Sequence, residues 1–152
     1  AAAERAARLG IMFFPQTTDP AMAGFYDAEA ERVGNPTGMT MGPEEGAPTT
    51  VFVAEDLDKA WQQYGQYMLH DATEYRKWMG DHNNSASLSS AITITELREE
   101  KGPYRIVTPE EAVSLVSQYH RLSLQPLCGG MPPEIAWESL HLIEEKVLPL
   151  IS

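Results

Sequence analysis

Residues 49–61 read TTVFVAEDLDKAW, and this stretch decides the fold. Its apolar run, 51–54, is continuous and rich in β-branched residues, which is typical of a strand buried on both faces. Asp56 then precedes a segment whose apolar residues recur at steps of three and four. That spacing predicts a helix over 56–79 with Asp56 as its N-cap. A buried strand followed directly by an amphipathic helix is the repeating unit of an α/β fold.

The rest of the chain repeats this alternation. The predicted strands are 11–14, 51–54 and 122–125, with 104–107 as a further candidate, and the predicted helices are 1–9, 20–33, 56–79, 109–118 and 133–148. Thr108 and Glu111 form a capping-box pattern at one helix start. The alternation predicts parallel strands, with helices 20–33, 56–79 and 133–148 on one side of the sheet. Residues 80–103 are predicted to be an inserted loop.

Charge and composition exclude some classes of partner. The chain has 152 residues, Lys+Arg 11 and Asp+Glu 22, and a formal net charge of -11. Such an acidic balance disfavours nucleic acid and anionic membrane surfaces, which attract clustered Lys and Arg. No apolar run is long enough for a membrane-spanning helix. Cys128 is the one cysteine, so no internal disulfide can form, and a reducing, cytoplasmic location is expected.

Three strand ends are candidate sites, because parallel α/β folds bind ligands where strands end. They are Phe14-Pro15-Gln16, Ala54-Glu55-Asp56 and Leu127-Cys128-Gly129-Gly130. Two glycines could let a backbone approach a phosphate, although Pro132 and Pro133 remove N–H donors, and a simple tight turn is the alternative.

Single residues at these ends also allow two interpretations. Asp56 is either an acid–base group or an N-cap, and Cys128 is either a nucleophile or a small buried hydrophobe. The four histidines, His70, His82, His120 and His141, show no metal-ligand spacing, so no metal site is expected.

Four segments read together resemble the bacterial luciferase-like, flavin-dependent monooxygenases. They are AERAARLGIMFFP (3–15), TTVFVAEDLDKAW (49–61), YRIVTPEEAVSLV (104–116) and LQPLCGGMPPEIAWESLHLIEEKVLPLI (124–151). Their order and spacing carry the resemblance. That family folds as a (β/α)8 TIM barrel, and residues 1–152 would supply about three of its β/α units. The chain would then be the C-terminal portion of one barrel domain that lacks its first five strands.

The resemblance also implies a function. Family members bind FMN or the deazaflavin F420 and act on a small organic substrate, often with O₂. The cofactor-binding residues implied here are Phe14, Gln16, Cys128, Gly129 and Gly130 at the barrel mouth, while no catalytic residue of the family maps onto this chain. A homo-oligomer is a further expectation. Two alternatives stay open: a non-enzymatic interaction module that uses the aromatic helix 56–79, and another barrel enzyme whose Gly129-Gly130 turn binds phosphate.

Overall fold

The computed structural model describes residues 1–80 and 84–151. These residues form a mixed α/β structure that is mostly helical, with one parallel sheet of two strands and no complete barrel. They divide into two compact units. The first contains residues 1–45 with 84–86, and the second contains the other described residues.

The first unit is built on two helices, α1 (Ala2–Leu9) and α2 (Ala21–Val33). Both match the predicted helices, and each ends at a glycine with positive φ, Gly10 and Gly34. Small side chains bring the helices together, since Ala3, Ala6 and Ala7 are buried against Tyr26 and Ala30.

The predicted strand 11–14 is reduced to a single parallel bridge between Phe13 and Thr40. The Phe13 N–H donates to the Met39 carbonyl, and the Met41 N–H donates to the Phe13 carbonyl, both at 2.9 Å. The next donor in such a ladder would be residue 15, which is proline and has no N–H. The ladder therefore stops after one step.

The second unit contains the sheet. Strand β1 (Thr50–Val53) pairs in parallel with β2 (Tyr104–Val107), so the candidate strand 104–107 is confirmed. The helices that follow along the chain are α3 (Leu57–Met79), α4 (Ile94–Glu100), α5 (Pro109–Tyr119), α6 (Pro133–Leu142) and α7 (Leu148–Ile151), with a 3₁₀ turn at Cys128–Gly130 and a π-helical turn at Ile143–Val147. Helix α4 lies inside the region predicted to be a loop, and its N-cap is Thr93, which accepts from the Glu96 N–H.

The predicted helix caps are confirmed. The Asp56 carboxylate accepts from the Lys59 N–H at 3.0 Å, so Asp56 is the N-cap of α3. Thr108 and Glu111 form the predicted capping box of α5: the Glu111 N–H donates to the Thr108 hydroxyl and the Thr108 N–H donates to the Glu111 carboxylate.

Helices cover both faces of the sheet, and the predicted helix 133–148 reaches both of them. Ala136 at its start packs in the same cluster as α3, whereas Ile143 and Val147 pack in the opposite cluster, so the prediction that helices 56–79 and 133–148 share one side holds only for the start of the second helix. Phe52 packs with residues of α3 on one face. Val51 and Val53 pack on the other face with α5 and with the Ile143–Val147 turn. Successive side chains of a strand point to opposite faces, and both faces are apolar here, so each needs its own helical cover. Predicted helix 20–33 corresponds to α2 of the first unit.

The predicted strand 122–125 is also wrong, because a helix side chain occupies part of the edge it would need. On the outer edge of β1 the Val51 N–H donates to the Ser123 carbonyl at 2.9 Å. The next N–H on that edge, from Val53, donates instead to the Ser139 hydroxyl of α6 at 2.7 Å. Ser139 is buried. One main-chain contact does not make a ladder, and residues 122–125 have no regular secondary structure.

We expect Ser139→Ala to lower the free energy of unfolding by about 1–3 kcal/mol, because it leaves the buried Val53 N–H without its acceptor. Chemical denaturation measures the loss. Ser117→Ala, at an exposed position of α5, is the matched control and should change stability by at most about 0.5 kcal/mol. Equal effects of the two substitutions would show that the Ser139 hydroxyl does not hold this edge.

Candidate functional site

A groove of about 1010 Å³ lies along the outer edge of β2 in the second unit. It runs between the start of α3 and α4 on one side and α5 on the other. Its volume is at the upper end of the roughly 300–1,000 Å³ typical of small-molecule sites. The residues that line it include Leu57, Asp58, Trp61, Ile94, Arg98, Glu99, Lys101, Tyr104, Arg105, Ile106, Glu111 and Ser114.

The main chain of β2 aims hydrogen-bonding groups into this groove. The Thr50 N–H donates to the Pro103 carbonyl and the Ala54 N–H to the Val107 carbonyl, so residues 103, 105 and 107 face β1. In a parallel ladder the residues between them face the opposite edge. The N–H and C=O groups of Tyr104 and Ile106 therefore point toward the groove, where the described part of the chain supplies no further strand.

The groove has an apolar floor and a charged rim. Trp61 and Ile106 are buried in the core beneath it. On the rim, Arg98 of α4 pairs with Asp58 in the first turn of α3 at 2.7 Å. Arg105 is half-buried and donates to two carbonyl oxygens, those of Gly102 at 3.1 Å and Gly46 at 3.0 Å. Such a cleft can hold a flat apolar group and can satisfy polar atoms at its edges.

Ala54-Glu55-Asp56, at the carboxyl end of β1, was predicted as a candidate site. Its two acidic side chains form contacts that stabilise the fold. Asp56 caps α3, so its N-cap interpretation is confirmed, and Glu55 forms an ion pair with Lys146. Beside them the Tyr64 hydroxyl donates to Glu138 at 3.4 Å. Burial, together with the nearby Glu138 charge, raises the pKa of Tyr64 to about 12. A small cavity of about 210 Å³ lies here.

Of the residues predicted to bind a cofactor, Phe14 and Gln16 belong to the first unit. Both are exposed, and the Gln16 carbonyl accepts from the Ala86 N–H at 2.8 Å. Cys128, Gly129 and Gly130 belong to the second unit and form the 3₁₀ turn. A shared cofactor role for these five residues stays a prediction.

Cys128 is a buried thiol that lies close to the Asp71 carboxylate. Burial, reinforced by the Asp71 charge, raises the pKa of the Cys128 thiol above its usual range. The thiolate that nucleophilic catalysis requires is therefore disfavoured. The interpretation of Cys128 as a small buried group fits these contacts.

Gly129 and Gly130 both have positive φ, but their surroundings differ. A Cβ on Gly129 would lie 1.9 Å from the main-chain oxygen of Tyr67 in α3, whereas a Cβ on Gly130 would meet nothing within 4 Å. The turn therefore packs its backbone directly onto α3 at Gly129. That contact is a packing reason for glycine at this position, separate from any approach to a ligand.

Asp71 is the residue that sequence reasoning missed. Its carboxylate accepts from the Tyr104 hydroxyl at 2.8 Å and lies close to the Cys128 thiol. Burial and Asp71 raise the pKa of Tyr104 above its usual range. The sequence feature that could have identified Asp71 is its position on the apolar face of α3, three residues after Met68 and four before Tyr75. One half-buried carboxylate thus joins α3, the start of β2 and the Cys128–Gly130 turn.

Two further observations concern metals and membranes. Within residues 1–80 and 84–151, no three His, Cys, Asp or Glu side chains are grouped closely enough to hold a metal ion. His82 lies outside the described residues. The described helices include none with the length and apolar character needed to cross a bilayer.

Comparison with known proteins gives one informative likeness. No protein-family model matches the chain, and no curated protein matches it significantly. Among solved structures, the fold is similar to that of the monooxygenase RslO1 from Streptomyces bottropensis, with a TM-score of 0.50 and 24% sequence identity. The match covers 99% of this chain and 45% of that one, so the chain spans less than half the length of the monooxygenase. At this identity the likeness concerns the fold.

Proposed function

We propose that the chain forms part of a luciferase-like monooxygenase that uses FMN or F420, and that it supplies the C-terminal part of a (β/α)8 barrel. The observation that carries the proposal is the likeness to a monooxygenase fold over 99% of the chain. The four sequence segments quoted above, in the same order as in that family, support it. The parallel β1–α3–β2 arrangement is compatible with a β/α repeat.

The groove beside β2 fits a flavin-type cofactor in shape and chemistry. Partly buried Leu57 and Ile94, with Trp61 beneath them, offer apolar contact to a flat ring system. The main-chain N–H and C=O of Ile106 point into the groove and match the donors and acceptors on the polar edge of such a ring. The bound cofactor would supply the redox chemistry, and these residues would orient it and exclude water. The predicted cofactor-binding residues, Phe14 and Gln16 in the first unit and Cys128, Gly129 and Gly130 in the second, stay alternative predictions.

The two other hypotheses find less support in the contacts. An interaction module would need the aromatic face of helix 56–79 to be free, but Trp61, Tyr64 and Met68 are buried in the core of the same unit. A phosphate site at Gly129-Gly130 would need N–H donors, whereas Gly129 packs on Tyr67 and Pro132 and Pro133 follow.

The proposal is tested by titrating the complete protein with FMN and with F420, following cofactor fluorescence. We expect one of them to bind and the reduced complex to consume O₂ in the presence of substrate. Ser114→Trp fills the groove from α5 and should weaken binding at least tenfold, whereas Ser117→Trp on the same helix, outside the groove lining, should not. Absence of binding by both cofactors would contradict the proposed function. Binding that Ser114→Trp leaves unchanged would show that the cofactor binds outside this groove.

A further inference from the structure

We propose that Arg105 is an anion-binding residue that holds the phosphate group of the ligand in the groove beside β2. The inference rests on the proposed function in that it takes FMN as the phosphate-bearing ligand. It goes further because it assigns phosphate recognition to Arg105, which is not among the residues that the family resemblance implies for cofactor binding.

The guanidinium of Arg105 is held in place without being neutralised. Its Nε donates to the Gly102 carbonyl and its Nη2 donates to the Gly46 carbonyl. A guanidinium carries five N–H donors, so three remain after these two bonds. Arg105 forms no ion pair with any residue in the described part of the chain. Neutral carbonyl oxygens fix the plane of the group but do not neutralise its positive charge.

The surroundings favour an anion at this point. A half-buried cation without a counter-ion loses hydration that two carbonyl contacts only partly replace. The carboxylates that line the same groove are engaged elsewhere or lie on its exposed rim. Asp58 pairs with Arg98, Glu111 accepts the Thr108 N–H in its capping box, and Glu99 is exposed.

A second cation stands nearby. Lys101 also lines the groove, four residues before Arg105 in the chain, and its side chain is exposed. A fixed guanidinium and a mobile ammonium together form a phosphate site, because the planar guanidinium binds two oxygens at once and the ammonium adds a point charge. In a chain with a net charge of -11, an arginine without an ion pair and an exposed lysine on the same groove favour a phosphate-bearing ligand.

The decisive experiment compares FMN with riboflavin, which differs only by the phosphate. We expect the complete wild-type protein to bind FMN at least tenfold more tightly than riboflavin. Arg105→Gln should remove this preference and leave riboflavin affinity within about twofold. Lys101→Gln, which breaks no contact with a carbonyl, should reduce the preference in part. Arg5→Gln removes the same charge from an exposed position of the first unit and should keep it.

Circular dichroism confirms that each variant is folded, and Lys101→Gln keeps the test valid if Arg105→Gln does not fold. A preference for FMN that survives both substitutions overturns the inference. If neither FMN nor riboflavin binds the wild type, the proposed function depends on the F420 titration alone, and inorganic phosphate then tests Arg105 by itself. Saturable phosphate binding that weakens at least threefold in Arg105→Gln supports the anion site without flavin. Phosphate binding that is absent, or equal in both proteins, overturns it.

Discussion

Replacing Gly129 with alanine is expected to lower the free energy of unfolding by roughly 3 kcal/mol or more. Two costs add: a non-glycine residue in a left-handed conformation costs about 1–3 kcal/mol, and overpacking costs about 1–3 kcal/mol. Gly129 has φ 59, and its Cβ would lie 1.9 Å from the Tyr67 oxygen, an atom of the α3 backbone that cannot rotate away. Denaturant titration monitored by circular dichroism measures the change.

Gly130→Ala is the matched control because it shares the positive φ but lies in open space. Its cost should be limited to the backbone conformation, about 1–2 kcal/mol. Equal losses for the two variants would show that the turn does not pack on α3 as described. A loss of cofactor binding in a Gly129 variant would report this packing, so Gly129 is unsuitable as a probe of ligand contact.

The second large effect is expected at Asp71. Substituting alanine removes the acceptor of a buried donor, the Tyr104 hydroxyl. An unsatisfied buried donor costs about 1–3 kcal/mol, so the loss should fall in that range. Chemical denaturation again gives the value. Glu74→Ala, which breaks only the exposed pair with Lys77 on the same helix, should cost about 0.5 kcal/mol or less.

A double-mutant cycle separates the Tyr104 contact from the rest. In the Tyr104→Phe background the Asp71→Ala substitution should cost less, because the hydroxyl that needs an acceptor is already gone. Strict additivity of the two substitutions, or an Asp71→Ala loss no greater than that of Glu74→Ala, would contradict a shared buried network. The Tyr104–Asp71 hydrogen bond ties α3 to the start of β2.

Structural features that depend on contacts between residues close together in the sequence could be predicted. The Asp56 cap and the Thr108–Glu111 capping box are contacts over three residues, so the starts of α3 and α5 were predictable from the side chains alone. The apolar run 51–54 predicted a strand that is buried on both faces, and β1 is fully buried. Helix α4 was missed although Thr93 and Glu96 have the same three-residue spacing.

The candidate site in the groove beside β2 could not be predicted from the sequence in the same way. Glycines and strand ends drew attention to Phe14, Gln16 and the Cys128–Gly130 turn, whereas the groove of about 1010 Å³ lies along β2. Arg105 carried a signal of its own, as the one charge in the apolar strand YRIV. Its carbonyl partners, however, include Gly46, which is 59 residues away in the chain. No local spacing could show that its charge is held without a counter-ion.

From the sequence alone, the long helices, the N-caps of α3 and α5, the α/β class and the parallel direction of the sheet could be predicted, but helix α4 was missed. Tertiary structure decided which groups meet at the sheet edges and beneath the helices. The Val53 N–H could have joined a ladder with residues 122–125, but it donates to Ser139, 86 residues away. Local propensities act over a few residues, whereas the partner of a strand edge is whichever distant group satisfies its hydrogen bonds at the lowest cost in desolvation and chain entropy.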